Sequence, residues 1–267
     1  MPQGLKAGYQ THWTTFGSGA RSALMIHCAL ASSEAWRALA RHLADHLTMT
    51  CFDMPGHGSS ADWSGTGDIL EETADVAAAF VADDPIDLIG HSFGAVVALR
   101  TAMARPDMIR TLTLIEPVFF AASLPENSDA MREHLKRSAG FGEALRAGRF
   151  HEAARLFTDI WGGGIPFLAM SKRDQDEMAA RMRLIEASED ALFHDTSNML
   201  SPDHLARLAM PVLLIEGNKA PPIIHAVCKS LKDRIEQARL VTVDGAGHMA
   251  PLTHAGAVAK EMLAFLK

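Results

Sequence analysis

The chain has 267 residues, 48% of them hydrophobic and 21% charged, enough to bury a substantial core as one large domain carrying an insertion. A net charge of -7, with acidic and basic residues interleaved, leaves no electrostatic footprint for nucleic acid or an anionic membrane, and no nucleic-acid motif accompanies it. Three cysteines, Cys28, Cys51 and Cys228, are odd in number, scattered among apolar runs and without zinc-finger spacing, which reads as free buried thiols.

The opening residues, Met1 to Gly8, lack the charged start and apolar run of a signal peptide, and no apolar stretch is long enough to span a bilayer, so a cytoplasmic protein is expected. Beyond them, short apolar runs alternate with longer helical patterns, the rhythm of an α/β protein with a mostly parallel sheet flanked by helices. The predicted strands run from Ala23 to His27, Met49 to Asp53, Ile86 to Gly90, Thr111 to Glu116, Val212 to Glu216 and Leu240 to Val243. Between the first two, His42 and His46 have the i, i+4 spacing that can hold zinc on a helix face. No glutamate follows His42 directly and no third ligand is identifiable, so both are read as solvent-facing on a surface helix, and no metal is expected.

The third predicted strand runs into Gly90-His91-Ser92-Phe93-Gly94, and a helix of small and aliphatic residues follows from Ala95. Spacing alone means little, since a Gly-x-Ser-x-Gly arises by accident in about one chain in ten of this length. The strand-to-helix context is the stronger signal, because a sharp turn there exposes a nucleophile on strained backbone and needs flanking glycines. Ser92 is the candidate nucleophile, and His91 is read as a support for the turn.

After Thr111 to Glu116 the rhythm breaks. Residues from about Phe119 to Pro202 hold no convincing strand; a turn-rich stretch, Ser123 to Asp129, leads into helix-favouring segments such as Asp129 to Arg137 and Asp174 to Ile185. This reads as a helical cap, residues 119–202, inserted into a core of residues 1–118 and 203–267. Within it Phe157, Trp161, Phe167, Met170, Phe193 and Met199 are either pocket lining or plain core, and Trp161-Gly162-Gly163-Gly164 reads as a turn between helices, with a hinge as the sharper alternative.

The last strand ends in Asp244-Gly245-Ala246-Gly247-His248-Met249, a glycine loop that lets an imidazole hang toward the carboxyl edge of the sheet. A serine hydroxyl is a poor nucleophile at neutral pH until a neighbour takes its proton, and His248 is the candidate base.

Four separated segments together resemble the α/β-hydrolase fold superfamily. Besides the serine and histidine motifs, Asp53-Met54-Pro55-Gly56-His57-Gly58-Ser59-Ser60 is similar to the superfamily's Asp-x-Pro-Gly-x-Gly-x-Ser loop. Met25-Ile26-His27, followed by Trp36, is similar to its His-Gly segment, with Cys28 standing where glycine is usual. The resemblance implies a two-donor oxyanion hole from the backbone N–H groups of Ala29 and Phe93, a structural role for Asp53, and a cap that shapes the substrate pocket. Candidate pocket residues are Cys28, Trp161 and Met249.

The third member of the expected triad is less direct. The superfamily commonly places its acid where this chain has Ala220, followed by Pro221 and Pro222. Some relatives take it from the end of the preceding strand, which here gives Glu116; Glu216, Asp244 and the neutral Asn218 remain alternatives. The resulting expectation is a serine hydrolase that cleaves an ester-type carbonyl bond through an acyl-enzyme on Ser92, with a small, rather apolar substrate, no cofactor and a monomeric or homodimeric state. Carboxylesterase, lactonase and thioesterase chemistry all fit, and hydrolysis of a carbon–carbon bond is possible on the same fold. The rival reading is a small-ligand binding protein whose missing acid marks weakened catalysis.

Overall fold

The computed structural model describes residues 2–81, 84–123 and 129–267. Eight strands, β1 (Gln3–Lys6), β2 (Tyr9–Phe16), β3 (Arg21–Ile26), β4 (Leu47–Phe52), β5 (Ile86–His91), β6 (Ile109–Ile115), β7 (Val212–Gly217) and β8 (Ala238–Val243), form one sheet in the order β1-β2-β4-β3-β5-β6-β7-β8. Strands β3 to β8 pair in parallel, while β1 and β2 add an antiparallel edge. That edge is missing from the sequence reading because its residues carry no continuous apolar run. The predicted parallel strands are all present, displaced at their ends by one or two residues.

Both faces of the parallel strands are buried, and side chains that alternate along each strand enter two separate cores. Leu24, Ile26, Leu112, Leu114, Val212 and Leu214 face one core, which includes buried side chains of α2 (Ile69–Ala78), α3 (Phe93–Ala104) and α9 (Pro222–Arg234). Ala23, Met25, Ile115, Leu213 and Ile215 face the other, which is closed by α1 (Arg37–Leu43) and α11 (Ala255–Phe265). A short helix, α10 (Ala250–Thr253), leads into α11.

Between β6 and β7 lie α4 (Asp129–Arg146), α5 (Phe150–Trp161), α6 (Lys172–Ala180), α7 (Met182–His194) and α8 (Pro202–Leu205), with no strand among the described residues. Most of the predicted turn before α4 (residues 124–128) lies outside the described residues. Helix α4 continues a further nine residues past Arg137 and through Gly140 and Gly142, because Phe141, Ala144 and Leu145 bury their side chains; packing overrides glycine's helix penalty. The segment predicted as one helix from Asp174 to Ile185 is two, stepping at Arg181. Helix α6 buries Ala179 alone of its residues, whereas α7 buries Met182, Leu184 and Leu192, so each follows a different surface. His42 sits on α1, but His46 lies in the turn after it, and both are exposed. No cluster of metal-ligating side chains occurs among the described residues. None of the described helices is long and apolar enough to cross a membrane.

The junction of β5 and α3 depends on backbone contact. A Cβ on Gly94 would lie 2.3 Å from the carbonyl oxygens of Ile26 and His27, and one on Gly90 would lie 2.1 Å from that of Gly94. Only glycine lets α3 start this close to β3 and β5. The obstructing atoms are main chain and cannot rotate away, so Gly94→Ala should cost about 1–3 kcal/mol, the range for overpacking. A lowered urea midpoint at unchanged m-value would register it; an unchanged midpoint would contradict the close approach.

Candidate active site

The carboxyl ends of β3, β4, β5, β6 and β8 lead to His27, Asp53, Ser92, Glu116 and His248 respectively. Open α/β sheets gather their sites at this edge. Ser92 has φ 58° and ψ -120°, a strained conformation for a residue with a Cβ. Its N–H donates to Ile115 O at 2.9 Å, which ties the turn to the neighbouring strand.

His248 Nε2 lies 2.9 Å from Ser92 Oγ, and its Nδ1 lies 3.1 Å from Glu116 Oε2. As a carboxylate Glu116 only accepts, and in that state its contact puts the proton on Nδ1 and leaves Nε2 to accept from the serine hydroxyl. Glu116 is fully buried, its other oxygen accepts the Gly217 N–H, and its φ of 52° is also left-handed. Burial pushes the Glu116 carboxyl above its ordinary range, against the Gly217 hydrogen bond, and pushes His248 below its own. His91 donates from Nε2 to His248 O at 2.8 Å, so it holds the histidine loop as well as preceding the nucleophile. Trp161 covers the other side, its ring 4.7 Å from that of His248.

The other candidate acids are engaged elsewhere. Glu216 accepts from His225 Nδ1 at 2.8 Å and from Thr242 Oγ1 at 3.1 Å. Asn218 donates to Asp244 and accepts the Gly245 N–H at 2.8 Å, clamping the loops after β7 and β8 together. Ala220 has no carboxyl to offer. Asp53 accepts N–H groups of Ser33 and Ser59 at 2.7 and 2.8 Å and also pairs with His12, organising its loop rather than facing Ser92.

His27 orders the loop that carries Ala29. Its Nδ1–H donates to Cys28 O at 2.7 Å and its Nε2 accepts the Met54 N–H at 3.1 Å, which defines a neutral tautomer. Burial lowers its pKa to about 4. In a trans peptide the N–H points opposite the carbonyl, so holding Cys28 O on one side turns the Ala29 N–H to the other. Phe93 is the first residue of α3, where the helix supplies its N–H with no partner. Ala29, Ser92 and Phe93 share the wall of one cavity.

That cavity has a volume of about 420 Å³ and runs from Ser92 between α4, α5 and α7, with Val118, Phe120, Phe157, Trp161 and Phe193 among its apolar walls. Two of the candidate pocket residues do not belong to it. Cys28 is buried and does not line the wall; Met249 instead lies beneath Gly163, whose Cβ position would be 3.3 Å from the Met249 Cβ. Phe167, Met170 and Met199 are likewise absent from the wall and pack in the core. His134, on α4, was missed, since a histidine within a polar helical segment gives no sign of facing a cavity.

A strained serine between a strand and a helix, with an imidazole and a carboxylate in line behind it, defines an α/β-hydrolase-type site. The chain matches the alpha/beta hydrolase family over residues 23–261 and belongs to that family. It is 35% identical to lipase LipV of Mycobacterium tuberculosis over 102 residues, 38% of this chain and 38% of LipV. It is 29% identical to the pimeloyl-[acyl-carrier protein] methyl ester esterase of Neisseria meningitidis over 239 residues, covering 82% of this chain and 70% of that one. Among solved structures, the enol-lactonase of Burkholderia xenovorans superimposes with a TM-score of 0.73 at 18% identity, covering 99% of both chains, a likeness of fold.

The three cysteines are free and buried, and burial holds Cys28 up at about 12 and the other two well above the ordinary thiol range. Thiolate, not thiol, is the reactive form. Native protein at pH 8 should therefore leave all three unmodified by iodoacetamide over the period in which the urea-unfolded chain is fully alkylated; mass spectrometry of rapid native modification at Cys28 would contradict this placement.

Proposed function

We propose that the protein is a serine hydrolase that cleaves an ester-type carbonyl bond in a small, rather apolar molecule. The observation that carries this reading is the unbroken line Glu116–His248–Ser92 at the wall of an apolar cavity. His248 takes the Ser92 proton as Oγ attacks the substrate carbonyl; the N–H groups of Phe93 and Ala29 hold the oxyanion; His248 then protonates the leaving group and activates the water that frees the acyl-enzyme. Glu116 keeps the imidazole in the tautomer that can accept and stabilises the imidazolium once formed. No cofactor enters this scheme.

The methyl ester esterase among similar proteins supports carbonyl chemistry of this kind. The helices of residues 119–202 act in this reading as a cap over the nucleophile. The protein works as a monomer or homodimer in the cytoplasm on a small-molecule substrate, without nucleic-acid or membrane partners.

A fluorophosphonate probe should label the wild type but not Ser92→Ala, and p-nitrophenyl butyrate turnover should fall by several orders of magnitude in that variant. Absence of both labelling and turnover in the wild type would support the binding-protein reading instead. Glu116→Gln should cut kcat by about 10⁴-fold, since a side-chain amide can donate to Nδ1 and so stabilise the wrong tautomer.

The pH profile gives an independent check. The acid limb of kcat/KM marks uptake of one proton by the Glu116–His248 pair, whose pKa belongs to both groups. The buried carboxylate favours that uptake, and His248 without it is left with burial alone, which lowers its pKa. The residual activity of Glu116→Gln should therefore show its acid limb at lower pH than the wild type. A limb at the same or higher pH would exclude the coupling.

A further inference from the structure

The wall of the cavity contains polar side chains that the proposed reaction does not use, and His134 is the one set among its aromatic rings. His134 of α4 is only 6% exposed, and its ring stacks on Phe120 at 4.8 Å, lies near-parallel to Phe193 at 6.2 Å and contacts Trp161 at 5.6 Å. Trp161 is the same side chain that covers His248. His134 thus stands one indole away from the candidate base, inside an aromatic wall.

No hydrogen bond or ion pair to its ring nitrogens occurs among the described residues. Nor are those nitrogens sealed away, as Nε2 of His12 and of His57 are; the residue lines the cavity that reaches Ser92. The two serines of the wall on α4 and α7 differ. Ser138 Oγ donates to His134 O at 2.8 Å, and Ser188 Oγ donates to Ile185 O at 2.8 Å, so their hydroxyl protons are spent within their own helices. An apolar side chain would fill the same slot without the cost of stripping water from an imidazole N–H.

We infer that His134 is a substrate-positioning residue, whose imidazole N–H donates a hydrogen bond to an oxygen in the substrate, a carbonyl or ether lying apart from the bond that is cleaved. The inference rests on the serine-hydrolase reading and narrows its substrate class to oxygen-bearing acyl or alkyl chains rather than plain hydrocarbon ones. Burial lowers the pKa of His134 to about 4, so the ring is neutral at physiological pH and offers one donor and one acceptor, not a charge. A neutral donor in an apolar slot selects for an oxygen because it is left unpaired by a hydrocarbon chain.

The test compares p-nitrophenyl esters of 4-oxopentanoic, 5-oxohexanoic and 6-oxoheptanoic acids with those of the matching alkanoic acids. The wild type should prefer the oxo ester in kcat/KM at one of these chain lengths. In His134→Phe, which keeps the aromatic stack, that preference should fall about tenfold, the worth of one hydrogen bond, through KM more than kcat. His134→Gln, which keeps a donor, should restore part of it. A general structural defect would slow both members of each pair and leave their ratio alone.

No oxo preference in the wild type at any length, or a ratio unchanged in His134→Phe, would overturn the inference while leaving ester hydrolysis intact. No turnover of any ester would instead overturn the esterase reading. The same comparison then moves to binding of 4-oxopentanamide, 5-oxohexanamide and 6-oxoheptanamide against the matching alkanamides by the Ser92→Ala protein with and without His134→Phe. Equal affinities throughout would overturn the role of His134 there as well.

Discussion

Close approach of backbone to backbone at the start of α3 is the constraint on which the site depends. Carbonyl oxygens of β3 occupy the space where a Cβ of Gly94 would stand, and the first turn of α3 occupies that of Gly90. The turn from β5 into α3 runs through this closed space, with Ser92 in its left-handed conformation between the two glycines. The neighbouring strands extend the same order: the Ser92 N–H is held by Ile115 O and the Glu116 N–H by Ile215 O, so the ladder continues beyond the regular sheet and places both residues at a common height. For these two residues the strands set the spacing, while His248 comes from the loop after β8.

Desolvation governs the chemistry that this frame supports. Ser92, Glu116 and His248 are all nearly inaccessible, and burial alone works against charge on either titratable partner. In the proposed reaction charge appears on His248 only when the serine attacks, with the Glu116 carboxylate already beside Nδ1. An interaction that strengthens as charge develops contributes to the transition state more than to the ground state. The same burial explains the neutral state of His27 and His91, which serve as struts: one orients the loop bearing Ala29, the other holds the carbonyl of His248.

The helices between β6 and β7 supply the remaining wall. Trp161 closes over His248, and Phe120, Phe193 and His134 continue the aromatic surface from there. Charged side chains, including Arg146 and Glu189, share the lining of this cavity with the aromatic ones.

The parallel strands, the elbow at Ser92 and the glycine loop at His248 were legible in the chain because each is local: apolar runs of strand length and glycines at fixed offsets constrain the backbone within a few residues. Glu116 was legible as the first choice among four candidates. It lies 132 positions from His248 in sequence, and what separates it from Glu216, Asp244 and Asn218 is the hydrogen-bond partner each finds across the sheet. The antiparallel edge, the step at Arg181 and the membership of the cavity wall were decided by tertiary packing. Cys28 and Met249 left that wall, and His134 joined it, because the direction of a side chain depends on which surfaces the helices and loops cover. By itself, then, the sequence determined the sheet, the elbow and the loop that offers the base; the acid's partner and the cavity's lining came from contacts between residues far apart along the chain.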